Sequence, residues 1–264
     1  MNDRKQIRVM TNNVKRDVRI ADRADLMLAN YDRYLPDVLG LQECDPLAYE
    51  TVVDPLAAGR FAVAGTVTDT NGEYSRTPIL YLKEKYDLLE QKSDFLRDRY
   101  TNSKTYSFVV LRDRETGKTF ALINVHFAII IGSYPKEIGT DAEVGNQWRI
   151  GNAKQVVELT KALAQKYGNI PMFLTGDFNS TARHEPYRIL TEFFADSLTV
   201  ASDFRSKPTA TYHLVGEAPD VNGLPVDFIF VTKGNTEVLR CEIISDEDMI
   251  NSTDHCALIT DLKI

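Results

Sequence analysis

The chain has 264 residues, of which 43% are hydrophobic, and a formal net charge of −7. A chain of this size can bury one large core or two small ones, and no repeat or linker divides it, so we expect one domain over residues 1–264. The acidic balance shows no basic run of the kind by which proteins hold the phosphates of nucleic acid. Cys44, Cys241 and Cys256 are odd in number and lack metal-ligand spacing, which argues against a disulfide framework and a structural zinc site.

The chain also lacks the features of a membrane or exported protein. Its longest apolar runs, such as residues 127–131, are far too short to span a bilayer, and residues 1–6 lack the apolar core of a signal peptide. We therefore expect a soluble monomer that is cytoplasmic by default, although a chain from which a signal peptide had been removed would look the same.

Alternating or continuous apolar residues predict strands in the first half of the chain, and apolar residues three to four positions apart predict helices. We expect strands over residues 7–11, 37–42, 61–67, 78–83, 86–91, 105–112 and 119–127. The last two strands form a hairpin around the turn at 115–118. A helix is predicted over residues 20–35, before Pro36, and a second helix over residues 46–58.

A loop from residue 128 to about residue 141 precedes a long helix in the second half of the chain. The helix is predicted by apolar periodicity from Ile150 to Ala164, and Gly168 suits its C-terminal cap. Beyond it we expect a strand over residues 170–174, a helix near 185–196, and strands over 226–232, 237–244 and 256–264. Mixed sheets with helices packed outside them satisfy this order of elements.

Residues 175–179, Thr-Gly-Asp-Phe-Asn, follow one apolar strand directly. Asp177 and Asn179 are two positions apart, so an extended backbone projects both side chains to the same side. A carboxylate can take a proton from water, and an amide can donate to an oxyanion. A strand that ends in an Asx-type turn is the plain alternative.

The same pattern recurs along the chain, because a polar residue stands at the tip of one apolar strand after another. These residues are Asn13, Glu43, His126, Asp177, Asn179, Asp227, Asp254 and His255. Each has a structural alternative when taken alone: a turn residue, the start of a helix, a core histidine or a polar turn. Together the acids would repel one another unless a cation or an imidazolium lay among them.

The chemistry of these side chains favours one class of reaction. Carboxylates with an amide oxygen favour a hard cation, Mg²⁺ or Mn²⁺, over zinc. A histidine beside an aspartate suits an oriented imidazole. A cation, an imidazole, an amide donor and a carboxylate base together suit attack of water on a phosphate ester.

Six short motifs occur in the order of a known family. They are Thr11-Asn-Asn13, Leu41-Gln-Glu43, Asn124-Val-His126, Gly176-Asp-Phe-Asn179, Val226-Asp-Phe-Ile-Phe230 and Ser252-Thr-Asp-His255. The set resembles the metal-dependent endonuclease/exonuclease/phosphatase superfamily over nearly the whole chain. The resemblance implies an α/β fold, a four-layered α/β sandwich in which two mixed β-sheets pack face to face with helices outside.

The resemblance also implies a role for at least one residue of each of the six motifs. Glu43 would be the principal Mg²⁺ ligand, with Asn13 and Asp254 close to the metal. Asp177 would orient or deprotonate the attacking water, and Asn179 would hold the phosphate.

Three histidines take roles under the same resemblance. His255, paired with Asp227, would stabilise the phosphorane or assist the nucleophile. His126 would contact the phosphate or protonate the leaving oxygen. His213, in a segment that resembles one lining the family's cleft, is a weaker candidate for substrate contact.

Departures from the abasic-site endonucleases of the family narrow the choice. Those enzymes carry an acid where this chain has Lys15, and a tyrosine where it has His126. Both features resemble the deoxyribonuclease and sphingomyelinase side of the family, or its bacterial members. The apolar residues 128–131 are a candidate lid or substrate wall, with packing against the long helix as the alternative; Arg149 on that helix is expected to be solvated.

The expected function is therefore a Mg²⁺-dependent (or Mn²⁺-dependent) phosphoesterase that hydrolyses a phosphodiester or a phosphomonoester. The acidic balance favours a small phosphate ester or nucleotide as substrate, while nucleic acid stays possible. The alternative is a catalytically inactive binding or scaffold module on the same fold. A zinc hydrolase would need a His/Cys ligand set that the spacing does not offer.

Overall fold

The structure is a computed structural model that describes residues 6–69, 72–97, 104–129, 141–205 and 209–264. Its strands are β1 Gln6–Asn13, β2 Val38–Gln42, β3 Phe61–Ala64, β4 Ile79–Leu82, β5 Tyr86–Phe95, β6 Thr105–Asp113, β7 Thr119–His126, β8 Met172–Asp177, β9 Phe194–Asp196, β10 Asp203–Phe204, β11 Asp227–Thr232, β12 Glu237–Ile244 and β13 Ala257–Lys263. Its α-helices are α1 Ile20–Tyr34, α2 Pro46–Ala48, α3 Asp54–Ala58, α4 Asp141–Tyr167, α5 Glu185–Thr191, α6 Ser197–Val200 and α7 Glu247–Ser252. A π-helical turn, Tyr49–Val53, joins α2 to α3.

The strands form two mixed sheets. The first has the order β10-β12-β13-β1-β2-β4-β3, and the second has the order β5-β6-β7-β8-β11-β9. In the first sheet β1 runs parallel to β2 and antiparallel to β13. In the second, β7 runs parallel to β8, and β11 is antiparallel to β8. Each sheet thus has a parallel pair at its centre, and in the first sheet the edge strand β10 also runs parallel to β12.

Three apolar clusters show how the layers stack. Alternate residues of a strand face opposite sides of the sheet, so Ile7 and Val9 of β1 point inward, where they join residues of the second sheet such as Phe173. Met10 points outward and packs with the buried stripe of α1 and with the π-helical turn. The outer face of the second sheet packs against α4 and α5. This arrangement confirms the four-layered α/β sandwich, with the central core between the two sheets.

The long elements lie close to where the sequence predicts them, because their apolar pattern is strong. Helix α1 ends at Tyr34, one residue before the predicted end, since Leu35 adopts a left-handed conformation (φ 48°) ahead of Pro36. The segment predicted as a helix over residues 46–58 is helical throughout, but its middle turn is π-helical.

Short elements were predicted less well. The helix expected near 185–196 is wrong in its second half: α5 ends at Thr191, and Phe194 and its neighbours form edge strand β9 against β11 because that side chain fills the outer core. The strand expected over 61–67 ends at Ala64. The strand β10 and the helices α6 and α7 were not predicted, since two to six residues carry too little periodicity. Most of the predicted loop at 128–141 lies outside the described residues.

Asp196, at the end of β9, is a buried carboxyl group away from the cleft described below. It accepts hydrogen bonds from the Leu198 amide at 2.9 Å and the Tyr187 hydroxyl at 2.9 Å. Burial nevertheless raises the pKa of Asp196 to about 6. Because this pKa lies above the unfolded value, the folded chain binds the proton more tightly, and stability falls as the pH rises from about 4 to about 6.

We expect Asp196→Asn to remove that loss, because the amide keeps the shape of the carboxyl group and carries no charge. At pH 7 the free energy of unfolding should rise by about 2 kcal/mol relative to the wild type, and below pH 4 the two proteins should be equally stable. Urea denaturation at several pH values measures the difference. A variant less stable than the wild type at pH 7 would contradict this origin of the pKa shift.

Candidate active site

The site is built where the inward faces of four central strands reach one rim of the sandwich. In β1, β7 and β8 the side chains that face the space between the sheets are apolar at the start of the strand. They end with the polar residues Asn13, His126 and Asp177. Strand β11 runs the opposite way and begins with Asp227 at the same rim. The register pairs His126 with Asp177 and Asp177 with Asp227, so these three side chains are direct neighbours across three strands.

A buried polar layer lies directly beneath the rim and joins the two sheets. Gln42 donates to Asn124 Oδ1 at 2.7 Å and to Thr11 Oγ1 at 2.9 Å, and Thr175 donates to Asn124 Oδ1 at 3.1 Å. Gly40 leaves room for these groups, since a Cβ there would lie 2.6 Å from Asn124 Oδ1. The sequence did not single out this layer. It holds the sheets in register just below the site.

Backbone conformation marks the same rim. Four described residues other than glycine have positive φ, and three of them lie here: Lys15 (φ 55°), Glu43 (φ 63°) and Asn179 (φ 47°). A left-handed conformation costs such residues on the order of 1 kcal/mol or more each, and it persists where surrounding contacts enforce it. The concentration of this strain at one rim is typical of a functional site.

Asn13 connects the carboxylates of the two sheets. Its amide nitrogen donates to Asp177 Oδ2 at 3.1 Å and to Glu43 Oε1 at 3.3 Å. Its amide oxygen accepts from the Lys15 backbone at 3.0 Å, which fixes the orientation of the group. The second oxygen of Glu43 accepts from the Arg16 backbone at 2.9 Å. Glu43 and Asp177 are therefore held on either side of one amide.

Asp177 and Asn179 form the Asx-type turn that was the plain alternative, and the turn itself aims the side chains. The Asn179 backbone donates to Asp177 Oδ1 at 2.9 Å, and the Asn179 side chain donates to the Phe127 carbonyl at 3.1 Å. The other oxygen, Asp177 Oδ2, faces His126 Nε2 at 3.4 Å and His255 Nε2 at 4.0 Å. Burial, and next the charge of Asp227, raise the pKa of Asp177 to about 6.

His255 lies between two buried carboxylates. Its Nδ1–H donates to Asp227 Oδ2 at 2.8 Å, and its Nε2 faces Asp177. Burial lowers the pKa of His255, but the charge and hydrogen bond of Asp227, followed by the charge of Asp177, more than offset this and raise the pKa to about 10. The imidazole is therefore a cation at neutral pH.

We expect Asp227→Asn to lower the pKa of His255 by about 2 units, because the amide keeps a hydrogen-bonding group but removes the charge. The chain has four histidines, so the imidazole signals can be followed by NMR during a pH titration of the metal-free protein. His184, which accepts from the Thr181 backbone at 3.0 Å outside this site, is the internal control and should titrate unchanged. An unchanged His255 would show that Asp227 does not hold its proton.

The pKa of His126 is shifted in the opposite direction from that of His255. Burial, and next the charge of Lys104, lower the pKa of His126 well below its usual value. Lys104 donates to His126 Nε2 at 2.5 Å, and Asp177 Oδ2 lies 3.4 Å from the same nitrogen. The imidazole is therefore neutral, and its Nε2 lone pair is directed at an ammonium group.

These residues share a cleft of about 400 Å³. It is lined by Glu43, His126, Ile129, Asp177, Asn179, Tyr212, Val226, Asp254 and His255. Asp254 pairs with Lys15 Nζ at 3.2 Å, and Asp227 lies behind His255. The structure thus brings all eight residues of the sequence pattern to one rim, with Asn13 bridging two of the lining carboxylates.

His213 lies next to the cleft without lining it, and Arg149 is not in the solvated environment predicted for it. His213 is buried, its Nδ1–H donates to the Leu214 carbonyl at 2.9 Å, and it is not among the residues that line the cleft. Its neighbour Tyr212 lines the cleft instead, with its ring 5.3 Å from that of His255. Arg149, expected to be solvated, is only 2% exposed.

Further residues that the sequence did not single out position the site from behind. The Tyr31 hydroxyl donates to Asn12 Oδ1 at 2.8 Å, and the Asn12 amide donates to the His255 carbonyl at 3.2 Å. Thr253 donates to the Asn13 carbonyl at 2.6 Å. Strand β1, with Tyr31 of α1 behind it, thereby contacts the chain on either side of Asp254.

Two groups of side chains are candidates for holding a divalent cation. Ligand atoms of Asp177, Asp227 and His255 lie within 4.8 Å of one another. Protonation of His255 removes the lone pair that a metal needs, so this trio suits an oriented imidazolium better than a metal centre. Glu43, with the Asn13 side chain at 3.3 Å and Asp254 lining the same cleft, belongs to a set of oxygen-bearing side chains of the kind that fit Mg²⁺ or Mn²⁺.

Comparison with known proteins identifies a family that the chain matches over most of its length. A model of the endonuclease/exonuclease/phosphatase family matches residues 13–255. No curated protein sequence matches the chain. Among the described residues, no helix is long and apolar enough to cross a membrane.

Solved structures share the fold over almost their whole length. An endonuclease/exonuclease/phosphatase from Bacteroides vulgatus is 22% identical, with 98% of each chain covered and a TM-score of 0.80. The mannosyl-6-phosphatase of Bacteroides thetaiotaomicron is 19% identical, with 97% of this chain and 99% of that chain covered and a TM-score of 0.76. The human Nocturnin catalytic domain, solved with a bound sulfate anion, is 18% identical, with 98% and 97% covered and a TM-score of 0.71. Since the family model spans most of the chain, the resemblance expected from the six motifs is confirmed, and the protein belongs to the endonuclease/exonuclease/phosphatase family.

Proposed function

We propose that this protein is a divalent-cation-dependent phosphoesterase that hydrolyses a small phosphate ester. The observation that carries the proposal is the convergence, in one cleft, of Glu43 from one sheet, Asp177 from the other, and the Asp227–His255 pair, which joins the two sheets. A base, a cationic donor and a metal-binding carboxylate are the groups that attack of water on phosphorus requires.

Asp177 is the proposed general base. One of its oxygens is fixed by the Asn179 backbone, and the other faces the cleft beside His126. A pKa of about 6 leaves the carboxylate mostly ionised near neutral pH and basic enough to accept a proton from water. The water oxygen would then form a bond to phosphorus as its proton passes to Asp177. The P–O bond to the alcohol would break, and the leaving alkoxide would take up a proton from the solvent.

The developing negative charge would be stabilised by fixed donors. His255, kept protonated by Asp227, would direct its Nε2–H towards a phosphoryl oxygen, and the Asn179 amide would hold a second oxygen. The lowered pKa of His126 argues against donation of a proton to the leaving oxygen. Its Nε2 accepts from Lys104 instead and would hold that ammonium group towards the phosphate.

Glu43, Asn13 and Asp254 would hold the cation. A bound Mg²⁺ or Mn²⁺ supplies Lewis-acid charge that offsets the negative charge gathering on the phosphoryl group. The oxygen-rich character of these three side chains supports a hard cation.

The shape and charge of the cleft support a small substrate. A volume of about 400 Å³ is at the lower end of the range for small-molecule sites, and Ile129, Tyr212 and Val226 give it an apolar side. The net charge of −7 disfavours an extended polyanion. A relative of the same fold is named a mannosyl-6-phosphatase, which supports including sugar phosphates among the substrates tested.

The test is a screen of phosphomonoesters and phosphodiesters, including sugar phosphates, nucleotides, inositol phosphates, sphingomyelin and DNA, in Mg²⁺ or Mn²⁺. We expect EDTA to abolish hydrolysis and a small ester to give the highest kcat/KM. Hydrolysis that survives EDTA would contradict the cation requirement. An absence of hydrolysis for every class, in protein shown to bind the cation, would favour an inactive binding module.

A further inference from the structure

A second, smaller cavity adjoins the catalytic cleft. It has a volume of about 60 Å³ and is lined by Arg16, Arg76 and Lys104 together with Glu43 and His126. Glu43 and His126 also line the catalytic cleft, so the two cavities share one wall. In a chain with a net charge of −7, three cationic side chains are thus gathered at one edge of the site.

Each of these three residues is anchored by a contact close to the site. The Arg16 backbone donates to Glu43 Oε2 at 2.9 Å. The Arg76 backbone donates to Thr105 Oγ1 at 3.2 Å, next in sequence to Lys104, which itself donates to His126 Nε2 at 2.5 Å. In Arg16 and Arg76 these contacts are made by the backbone N–H groups. The N–H groups of both guanidinium side chains are therefore not used in them.

The guanidinium groups of Arg16 and Arg76 differ from most others in the described chain. Eleven other described arginines form an ion pair with an acid. Within the described ranges, neither Arg16 nor Arg76 makes a side-chain hydrogen bond or an ion pair, although Glu43 stands beside both. Two planar donor groups therefore face a small cavity with their hydrogen-bonding capacity unused.

We propose that this cavity binds a second phosphate group of the substrate, so that the preferred substrate is a small molecule with two phosphates. The inference rests on the proposed function, which places the scissile phosphate in the adjoining cleft. About 60 Å³ is space for roughly one or two waters, which suits a phosphoryl group and is too small for a sugar ring or a base.

Charge and geometry select phosphate as the ligand. A guanidinium group donates two parallel hydrogen bonds to phosphate oxygens, and a phosphate dianion matches several cations better than one carboxylate does. The cations are gathered in one cavity and do not form a stripe along the surface, which favours a compact bisphosphate over a polynucleotide.

The kinetic test compares a hexose 6-phosphate with the matching hexose 1,6-bisphosphate, and a nucleoside 5′-monophosphate with its 3′,5′-bisphosphate, in excess Mn²⁺. In at least one pair we expect the wild type to favour the bisphosphate by about tenfold in kcat/KM. Arg76→Met and Arg16→Met should each reduce that ratio at least about threefold. Arg183→Met, at an exposed arginine outside both cavities, is the matched control and should leave the ratio unchanged.

Equal kcat/KM for both members of each pair, or a ratio that survives both substitutions, would overturn the proposal. A short DNA strand favoured over every bisphosphate, with loss of that preference in Arg76→Met, would overturn the small-molecule assignment and identify successive phosphates of nucleic acid as the ligand.

A binding test separates failure of this proposal from failure of the proposed function. Metal-free wild-type protein in EDTA is titrated calorimetrically with inorganic phosphate, and binding should weaken at least about fivefold in Arg76→Met but not in Arg183→Met. If no ester is hydrolysed and this difference remains, the phosphate site stands and the hydrolase assignment falls. If phosphate binds the wild type and Arg76→Met equally, or binds neither, the phosphate site is refuted whatever the activity. Circular dichroism confirms that each variant is folded.

Discussion

Asp177→Asn is expected to lower kcat for phosphate-ester hydrolysis by about three orders of magnitude while KM stays close to the wild-type value. The amide has the same shape and can still accept the hydrogen bond that the Asn179 backbone donates to the aspartate at 2.9 Å. It cannot take a proton from water. The loss should therefore fall on the chemical step and not on substrate binding.

Asp196→Asn is the matched control for this experiment. Asp196 is also a buried carboxyl group whose pKa burial raises to about 6, but it lies on edge strand β9 and does not line the cleft. The same substitution there should leave kcat unchanged. Steady-state kinetics of both variants measure the contrast, and equal activity of Asp177→Asn and the wild type would remove Asp177 from the role of base.

Gly176→Ala is expected to lower the free energy of unfolding by about 3 kcal/mol. A Cβ at this position would lie 2.1 Å from the carbonyl oxygen of Val125 on the parallel neighbour β7, and the residue has a φ of 148°. The carbonyl belongs to a central strand and cannot move away without breaking the pairing of β7 with β8. Since His126 and Asp177 follow directly, the variant should also lose activity.

Gly234→Ala separates the steric cost from the conformational cost. Gly234 also has a positive φ, 88°, but no atom lies within 4 Å of its added Cβ. That variant should lose only about 1 kcal/mol. Urea denaturation measures both values, and equal losses in the two variants would show that the close approach of Val125 is not what requires a glycine at position 176.

The central strands and their polar tips could be predicted because two simple rules act together there. Alternation in β1 and continuous apolar runs in β7 and β8 mark them as buried strands. The two-residue alternation of side-chain direction along a strand then carries Asn13, His126 and Asp177 to the rim. Because these strands are neighbours in two packed sheets, their ends meet. The predicted cleft follows from the pattern without knowledge of the loops.

The residues that the sequence did not indicate owe their place to tertiary contacts. Arg16, Arg76 and Lys104 come from separate loops, and no local pattern predicts that they line one cavity. The left-handed conformation of Glu43 is likewise enforced by neighbours and not by its own preference. Tyr212 lines the cleft, and the adjacent His213 does not. Which of two adjacent residues faces the cleft depends on the geometry of the turn, and apolar periodicity does not predict it.

A single domain over residues 1–264 and the catalytic roles of the cleft residues are predictions that the experiments above test. The family match spans residues 13–255 and supports a hydrolase of phosphate esters. The identity of the metal and of the substrate depends on the residues around Glu43 and on the two adjoining cavities.

Calorimetric titration of the metal-free protein with Mn²⁺ tests the central claim most directly. The account predicts saturable binding that EDTA reverses, weakened at least about tenfold in Glu43→Gln, since loss of a charged ligand removes most of the attraction for a hard cation. Glu50→Gln, at an exposed position on the nearby π-helical turn, should bind Mn²⁺ like the wild type. Absence of Mn²⁺ binding to the wild type, or equal affinity of Glu43→Gln and the wild type, would contradict the account.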